Sequence, residues 1–385
     1  MYLPNNCSKI KTGKGLKMKI PPLDLKRQYA LIKDEIDSAI QNVLNHGGFV
    51  LGPEVKELES KLAEYCGAKQ GIGVASGTDA LLLSLMAAGI SSGDEVITST
   101  FTFFATAGVV SRLGAKPVFV DIDPDTFNID PALIERAITS KTRVIIPVHL
   151  YGQIADMDEI TSVAKRHGIP IIEDAAQAIG STYKGKKAGS FGLTGCFSFY
   201  PTKNLGGYGD GGFITTDDDN IADLLRRLRI HGARPKYFHS LVGINSRLDS
   251  MQAATLLVKL KHLPEWHEAR RARAENYDKL LSDIDGVKTP FVHEYNYHIY
   301  HQYTILAERR DDLREYLKSR EIGCEIYYPL PMHLQECYRE LGYKKGDMPA
   351  AEKASDMALS IPIFPELTAD EQDYIAGSIA EFYKG

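Results

Sequence analysis

The feature that most narrows the fold is an alternation. Short, nearly all-apolar β runs recur down the chain with helical patterns between most of them. The runs are Gly71–Ser76, Glu95–Ile97, Pro117–Val120, Val144–Val148, Ile169–Ile172, Cys196–Phe199 and Gly212–Thr215. Asp79–Ala88, Pro131–Ile138 and Met157–His167 read as intervening helices, and ahead of them Gly52–Gly67 places Val55, Leu58, Leu62 and Tyr65 on one helical face. A strand apolar on both sides is buried on both sides, so the pattern predicts an α/β fold: a largely parallel sheet covered by helices on each face. Cys196–Tyr200 and Gly212–Thr216 lie too close in the chain for a crossover helix. They predict a local excursion or an antiparallel pair.

After about Leu263 the texture changes to a long charged helix, Glu265–Leu281, then a strand-like Tyr300–Leu306, the helix Asp311–Arg320 and a C-terminal helix from Ala369. A chain of 385 residues is long enough for two cores. The expected division is a flexible extension over residues 1–17, a large domain over 18–263 and a smaller α+β domain over 264–385. A formal charge of −5 gives no polycationic face, so nucleic acid is not an expected partner. No apolar run approaches the roughly 20 residues of a membrane span, and the N-terminus lacks the apolar segment of a secretory signal. The five cysteines form no CxxC pair. They read as reduced packing residues of a cytoplasmic protein, not as a disulfide frame or a metal site.

Three local patterns carry chemistry. Ser76-Gly77-Thr78-Asp79 sits where a strand turns into a helix. Small residues allow close backbone approach, and the free N–H groups of a helix start favour an anion. A plain helix cap is the competing reading. Next, the apolar Ile169–Ile172 ends in Glu173-Asp174-Ala-Ala-Gln177. Ligands of open α/β sheets bind at the carboxyl ends of strands, which places Asp174 beside one. A carboxylate there can keep a pyridine nitrogen protonated, whereas the plainer alternative is a cap. Finally, Lys203 stands between a strand and a glycine-rich turn, with no other charge until Asp210. A lysine at the edge of a dry site loses proton affinity and becomes a nucleophile toward an aldehyde. The adjoining Gly207-Tyr-Gly209-Asp-Gly-Gly212 satisfies a dinucleotide fingerprint, but that fingerprint needs a following helix and Phe213–Thr216 reads as a strand.

Taken in order, SGTDAL, TFTFFATA, EDAAQA, FSFYPTKNLGGYGDGG and GINSRLDSMQAA resemble the DegT/DnrJ/EryC1/StrS sugar aminotransferases, of fold-type I among the pyridoxal-phosphate enzymes. The resemblance runs from about Pro22 to the C-terminus. It implies a mostly parallel seven-stranded sheet in the large domain, pyridoxal 5'-phosphate as cofactor, and a homodimer with shared active sites. Lys203 would carry the cofactor covalently and shuttle the proton. Asp174 would pair with the pyridine nitrogen, Gln177 would lie near the ring's phenolic oxygen, and Gly77, Thr78 and Ser198 would bind the phosphate. Phe103 falls where the family stacks an aromatic ring on the cofactor, and Asn245 would reach the phosphate in the other subunit. Retention of Lys203, which the family's dehydratases replace with histidine, favours transamination.

The implied reaction moves an amino group from an amino acid, glutamate as expected, to a nucleotide-linked ketosugar. Lys236–His239, Gly243–Asp249 and Tyr327–His333 are similar to members acting at C3, with C4 the alternative. Arg247, Tyr327, Tyr328 and His333 are thus candidate sugar contacts. Members that recognise a sugar carboxylate often carry His-Tyr where this chain has Tyr327-Tyr328, which favours a neutral sugar. Phe103 could instead be core, Arg247 an ion pair, and His149 a satisfied core histidine. A regulator that retains the fold, and a nicotinamide oxidoreductase, are the competing functions.

Overall fold

The computed structural model describes residues 10–11 and 16–384. The expectation of a flexible extension falls mostly outside these described residues. In the large sheet, β1 (Gln70–Val74), β7 (Gly212–Thr216), β6 (Thr194–Ser198) and β5 (Ile172–Asp174) form one ladder. A second ladder joins β3 (Lys116–Val120), β2 (Glu95–Ser99) and β4 (Thr142–Ile146). Parallel bridges Ile145–Ile171 and Val148–Asp174 link the two into one seven-stranded sheet of order β1-β7-β6-β5-β4-β2-β3. Every strand is parallel to its neighbours except β7, which runs antiparallel to both β6 and β1. Cys196 pairs with Ile214, so the short excursion resolves as the antiparallel alternative.

Side-chain alternation divides the apolar strands between two layers. Val144, Ile146, Cys196 and Ile214 face a core shared with α3 (Gly77–Ala87), α4 (Ala105–Arg112) and α7 (Asp219–Leu228). Ile145, Phe197 and Phe213 face the opposite core, filled by α2 (Pro53–Cys66), α6 (Met157–His167) and the first half of α8 (Ser250–Leu281). The anticipated strand Ile169–Ile172 starts later, because the ladder to β6 begins only at the Ile172–Thr194 pair.

Helix α8 was expected from Glu265 but begins at Ser250 and runs through Pro264, so the expected boundary between residues 263 and 264 falls inside one helix. Its second half contributes Ala274, Tyr277 and Leu281 to a separate core. The other walls are β9 (Tyr303–Ala307), flanked by β8 (Val287–Lys288) and β10 (Ala358–Ile361), with α9 (Arg310–Ser319) and α11 (Ala369–Lys384) against them. Ile20 also packs in this core and bridges to Ile322. The 22-residue α1 (Leu25–His46), not foreseen in the sequence, packs along α8.

Candidate active site

β1, β5 and β6 run the same way, so their carboxyl ends lie along one edge of the sheet. At β1, Ser76 caps α3: its Oγ accepts the Asp79 N–H at 3.0 Å and its carbonyl accepts that of Ala80. The cap is therefore real, and it leaves the N–H groups of Gly77 and Thr78 available to an anion. The register Ser198–Gly212–Val74 carries Ser198 across two strands to this helix start. The fit is tight enough that a Cβ on Gly77 would lie 2.7 Å from that of Ser198. The three candidate phosphate ligands thus come together.

Asp174 ends β5 and is buried. Thr106 Oγ1 donates to its Oδ2 at 2.7 Å and the Ala176 N–H donates to Oδ1 at 3.2 Å. Burial raises its proton affinity, while Thr106, Ala176, Lys203 and His149 oppose that rise. A buried carboxylate in this condition favours a cationic partner. Lys203 follows β6 and is half-buried. Burial depresses its ammonium to about 8, against the raising influence of Asp174. Gln252 on α8 holds the glycine turn beyond the lysine by accepting the Tyr208 N–H at 2.7 Å.

Gln177 accepts the Tyr151 N–H through Oε1 at 2.7 Å and donates from Nε2 to the Tyr328 hydroxyl at 2.9 Å. The sequence-predicted Gln177 and Tyr328, far apart in the chain, are therefore bonded. Tyr328 is buried against Phe101 and Tyr151, whereas its neighbour Tyr327 is exposed. Phe103 is 61% exposed, which removes the core alternative for that ring. Asn245 is exposed and bridges to Ile230. Arg247 is half-buried and forms no ion pair among the described residues.

His333 is not brought to the surface, so it cannot contact a sugar as placed. It is 1% exposed, and both ring nitrogens are engaged, Nδ1 by the Thr100 hydroxyl at 2.7 Å and Nε2 by Glu352 at 3.1 Å. The reason is packing: the 332–334 turn folds down onto the Thr100 backbone, whose carbonyl accepts the Met332 N–H. His149 is the satisfied core histidine it was read as, bonded to Glu173 at 3.0 Å and accepting the Ala155 N–H. Thr106, Tyr151, Asn204 and His301 were missed. Only Thr106 carried a local signal, a hydroxyl in the first turn of a helix that follows a parallel strand.

The donor set fits pyridoxal phosphate. An anion cradle that a single Cβ would fill, a buried carboxylate seeking a cation, and a lysine of lowered proton affinity all stand at the carboxyl ends of neighbouring strands.

Comparison with known proteins agrees. The model of the DegT/DnrJ/EryC1/StrS aminotransferase family matches residues 30–380. The chain is 55% identical to a pleiotropic regulatory protein of Geobacillus stearothermophilus, over 95% of this chain and 99% of that one. It is 48% identical to the UDP-2-acetamido-2-deoxy-3-oxo-D-glucuronate aminotransferase of Pseudomonas aeruginosa, over 90% and 95% of the two chains. The crystal structure of S. venezuelae DesV with a ketimine intermediate superposes with a TM-score of 0.93, at 43% identity, covering 95% of this chain and 99% of that one.

Proposed function

We infer, from the premise that the chain belongs to the DegT/DnrJ/EryC1/StrS aminotransferase family and is a pyridoxal-phosphate-dependent sugar aminotransferase, that its acceptor is a nucleotide-linked 3-ketosugar and its donor glutamate. The observation that carries the C3 reading is likeness, across 90% of the chain, to an enzyme whose named substrate is a 3-oxo nucleotide sugar. That substrate is a glucuronate, and Tyr327-Tyr328 in this chain favours a neutral sugar instead. Tyr328 is committed to Gln177, so the exposed Tyr327 and Arg247, which has no ion pair among the described residues, are the groups that would meet the sugar. An arginine can hydrogen-bond hydroxyls as well as carboxylates.

Bound pyridoxal phosphate supplies an aldehyde carbon for the amino group and a protonated ring that withdraws electrons. The chain's own residues do the rest. Gly77, Thr78 and Ser198 would hold the phosphate, and Asp174, whose protonation Thr106 and Ala176 oppose, would pair with the ring nitrogen and favour its protonated form. Gln177 is steadied by Tyr151 and Tyr328 and orients the ring from its phenolic side. Phe103, exposed in this chain, would stack on the ring. Lys203 Nζ, near the midpoint between its two forms at about pH 8, can take up a proton and give it back at little cost. Asn245 completes the partner's phosphate site in a homodimer working in the cytoplasm.

The name of the Geobacillus relative is that of a regulator. The lysine and the carboxylate retained here are groups that a non-catalytic regulator does not need. The assignment is tested by incubating the purified protein with glutamate and a panel of UDP-, dTDP- and GDP-linked 3-keto and 4-keto sugars. Mass spectrometry should find an aminated product from a 3-keto member, and a panel with no aminated product rejects the reading.

A further inference from the structure

Residues Ile299–Gln302 form a buried arch that leads into β9 and passes beside the turn carrying Lys203. Its backbone is pinned on both sides. The Ile299 N–H donates to the Gly152 carbonyl and the Gln302 N–H to that of Tyr151, while Arg270 on α8 donates to the Tyr300 carbonyl at 3.0 Å. Gly152 has φ +105°, and a Cβ there would lie 2.9 Å from the Ile299 side chain and 3.1 Å from the His301 nitrogen. The arch can lie this close only because that position is a glycine.

From the arch, His301 is buried against the residue next to Lys203. Its Nδ1 lies 3.1 Å from Asn204 Oδ1, and the Asn204 amide donates in turn to the Ile299 carbonyl at 3.2 Å. An amide oxygen can only accept, so Nδ1 carries the proton; the Gln302 amide nitrogen, 3.4 Å from Nε2, then donates to the free lone pair. Both ring nitrogens are satisfied by a neutral imidazole. A charged one would meet a donor at Nε2 and would stand beside the lysine in a dry site. Lys203 itself has one short backbone tie, its N–H to the Tyr200 carbonyl at 2.8 Å. Farther along, the Gly207 N–H donates to the Phe199 carbonyl and Lys259 Nζ to the Gly206 carbonyl, whereas at the residue next to the lysine the side-chain tie to the arch runs through Asn204.

We propose that His301 is a positioning residue for Lys203, clamping Asn204 to the arch and thereby holding the lysine's backbone at the depth where its amine is shielded from water. The clamp joins a segment of the second core to the lysine turn, so the seating of that core reaches the reactive amine directly. Gln177 is tied to the same arch from the other side, because Tyr151 bonds both Gln177 and Gln302. This inference rests on the reading of Lys203 as the reactive amine.

The test uses the full-length chain with its cofactor removed, and measures by mass spectrometry how fast Lys203 is labelled by a small amine-reactive reagent across pH. In the parent chain the labelling midpoint should lie near 8. In His301→Phe it should move up toward the ordinary lysine range, by about tenfold in proton affinity. Asn204→Ala breaks the same bond without disturbing the buried imidazole and should move the midpoint equally; the double variant should move it no further. In the reloaded enzymes kcat should fall about 10- to 100-fold, with KM for the sugar little changed. Midpoints that stay at the parent value in both single variants overturn the clamp. A parent midpoint already in the ordinary range overturns the reading of Lys203 instead.

Discussion

Thr106 Oγ1 donates to Asp174 Oδ2 at 2.7 Å, joining the first turn of a helix to the end of a strand inside the protein. That bond and the Ala176 N–H work against burial, which on its own would drive Asp174 toward its neutral form. Asp174→Asn should keep the fold, because the amide oxygen still accepts the Ala176 N–H and the amide NH2 can donate to the Thr106 hydroxyl in place of the bond it received, yet it cannot balance a cationic ring. We expect kcat to drop by about a hundredfold or more, the scale of losing one preorganised electrostatic partner. Steady-state kinetics checks this, and an unchanged kcat would make Asp174 a structural cap.

Lys203 sets the pH dependence of cofactor capture. Only the neutral amine attacks an aldehyde, and burial lowers the ammonium to about 8. The rate of covalent capture by the cofactor-free protein should therefore rise with pH and flatten above about 8, as followed by visible absorbance. A rate still climbing tenfold per pH unit at pH 10 would show an ordinary exposed lysine. Lys203→Ala should lose the visible band and turnover together.

Both of these residues were legible in the sequence because their signals are local. An apolar strand running into a carboxylate, and a lone lysine before a glycine turn, are patterns within a few neighbours. The sheet was legible for the same reason, since burial on both faces writes itself into each strand. Contacts between distant segments left no such trace. Gln177 meets Tyr328 and Asn204 meets His301 across 151 and 97 residues of chain, and nothing beside either residue announces its partner. His333 misled in the same way: its position in Tyr327–His333 suggested a sugar contact, while Thr100 and Glu352 claim its ring. The helix expected from Glu265 also starts earlier: a proline ordinarily stops a helix, but α8 runs from Ser250 through Pro264 and packs against both cores.

Gly77→Ala should weaken the cofactor without unfolding the protein. The new Cβ would stand 2.7 Å from that of Ser198 and 3.2 Å from its Cα, so the phosphate cradle must spread. Overpacking of this kind costs about 1–3 kcal/mol, which corresponds to roughly 5- to 150-fold in affinity if the strain is felt in the bound state. Equilibrium titration of the cofactor-free variant with pyridoxal phosphate measures it. Parent-like affinity would move the phosphate site elsewhere.

Asn245 is exposed, which is compatible with the proposed role across a dimer interface. Mixing inactive Lys203→Ala with an inactive Asn245→Ala chain would give hybrids with one doubly defective site and one intact site. Activity should reappear as subunits exchange. Exchange demonstrated by mixed-mass dimers, without any return of activity, would place Asn245 in its own subunit's site or outside the site altogether.

The position of amination rests on the sugar-side wall. Tyr328 is buried and bonded to Gln177, so of the Tyr327-Tyr328 pair Tyr327 is the exposed one proposed to meet the sugar, its hydroxyl near Gln302. A tyrosine hydroxyl suits a neutral pyranose, and Arg247, unpaired among the described residues, could still bind a carboxylate. The two groups make opposite demands, and substitution separates them. Tyr327→Phe should raise KM for a neutral 3-keto sugar several-fold, about what one lost hydrogen bond costs, and leave kcat nearly unchanged. Arg247→Lys should affect a uronic-acid substrate far more than a neutral one, since lysine cannot reproduce a bidentate fork. Turnover of matched 3-keto and 4-keto nucleotide sugars at equal concentration then decides the carbon. A clear preference for the 4-keto compound would overturn the C3 assignment and leave the aminotransferase standing.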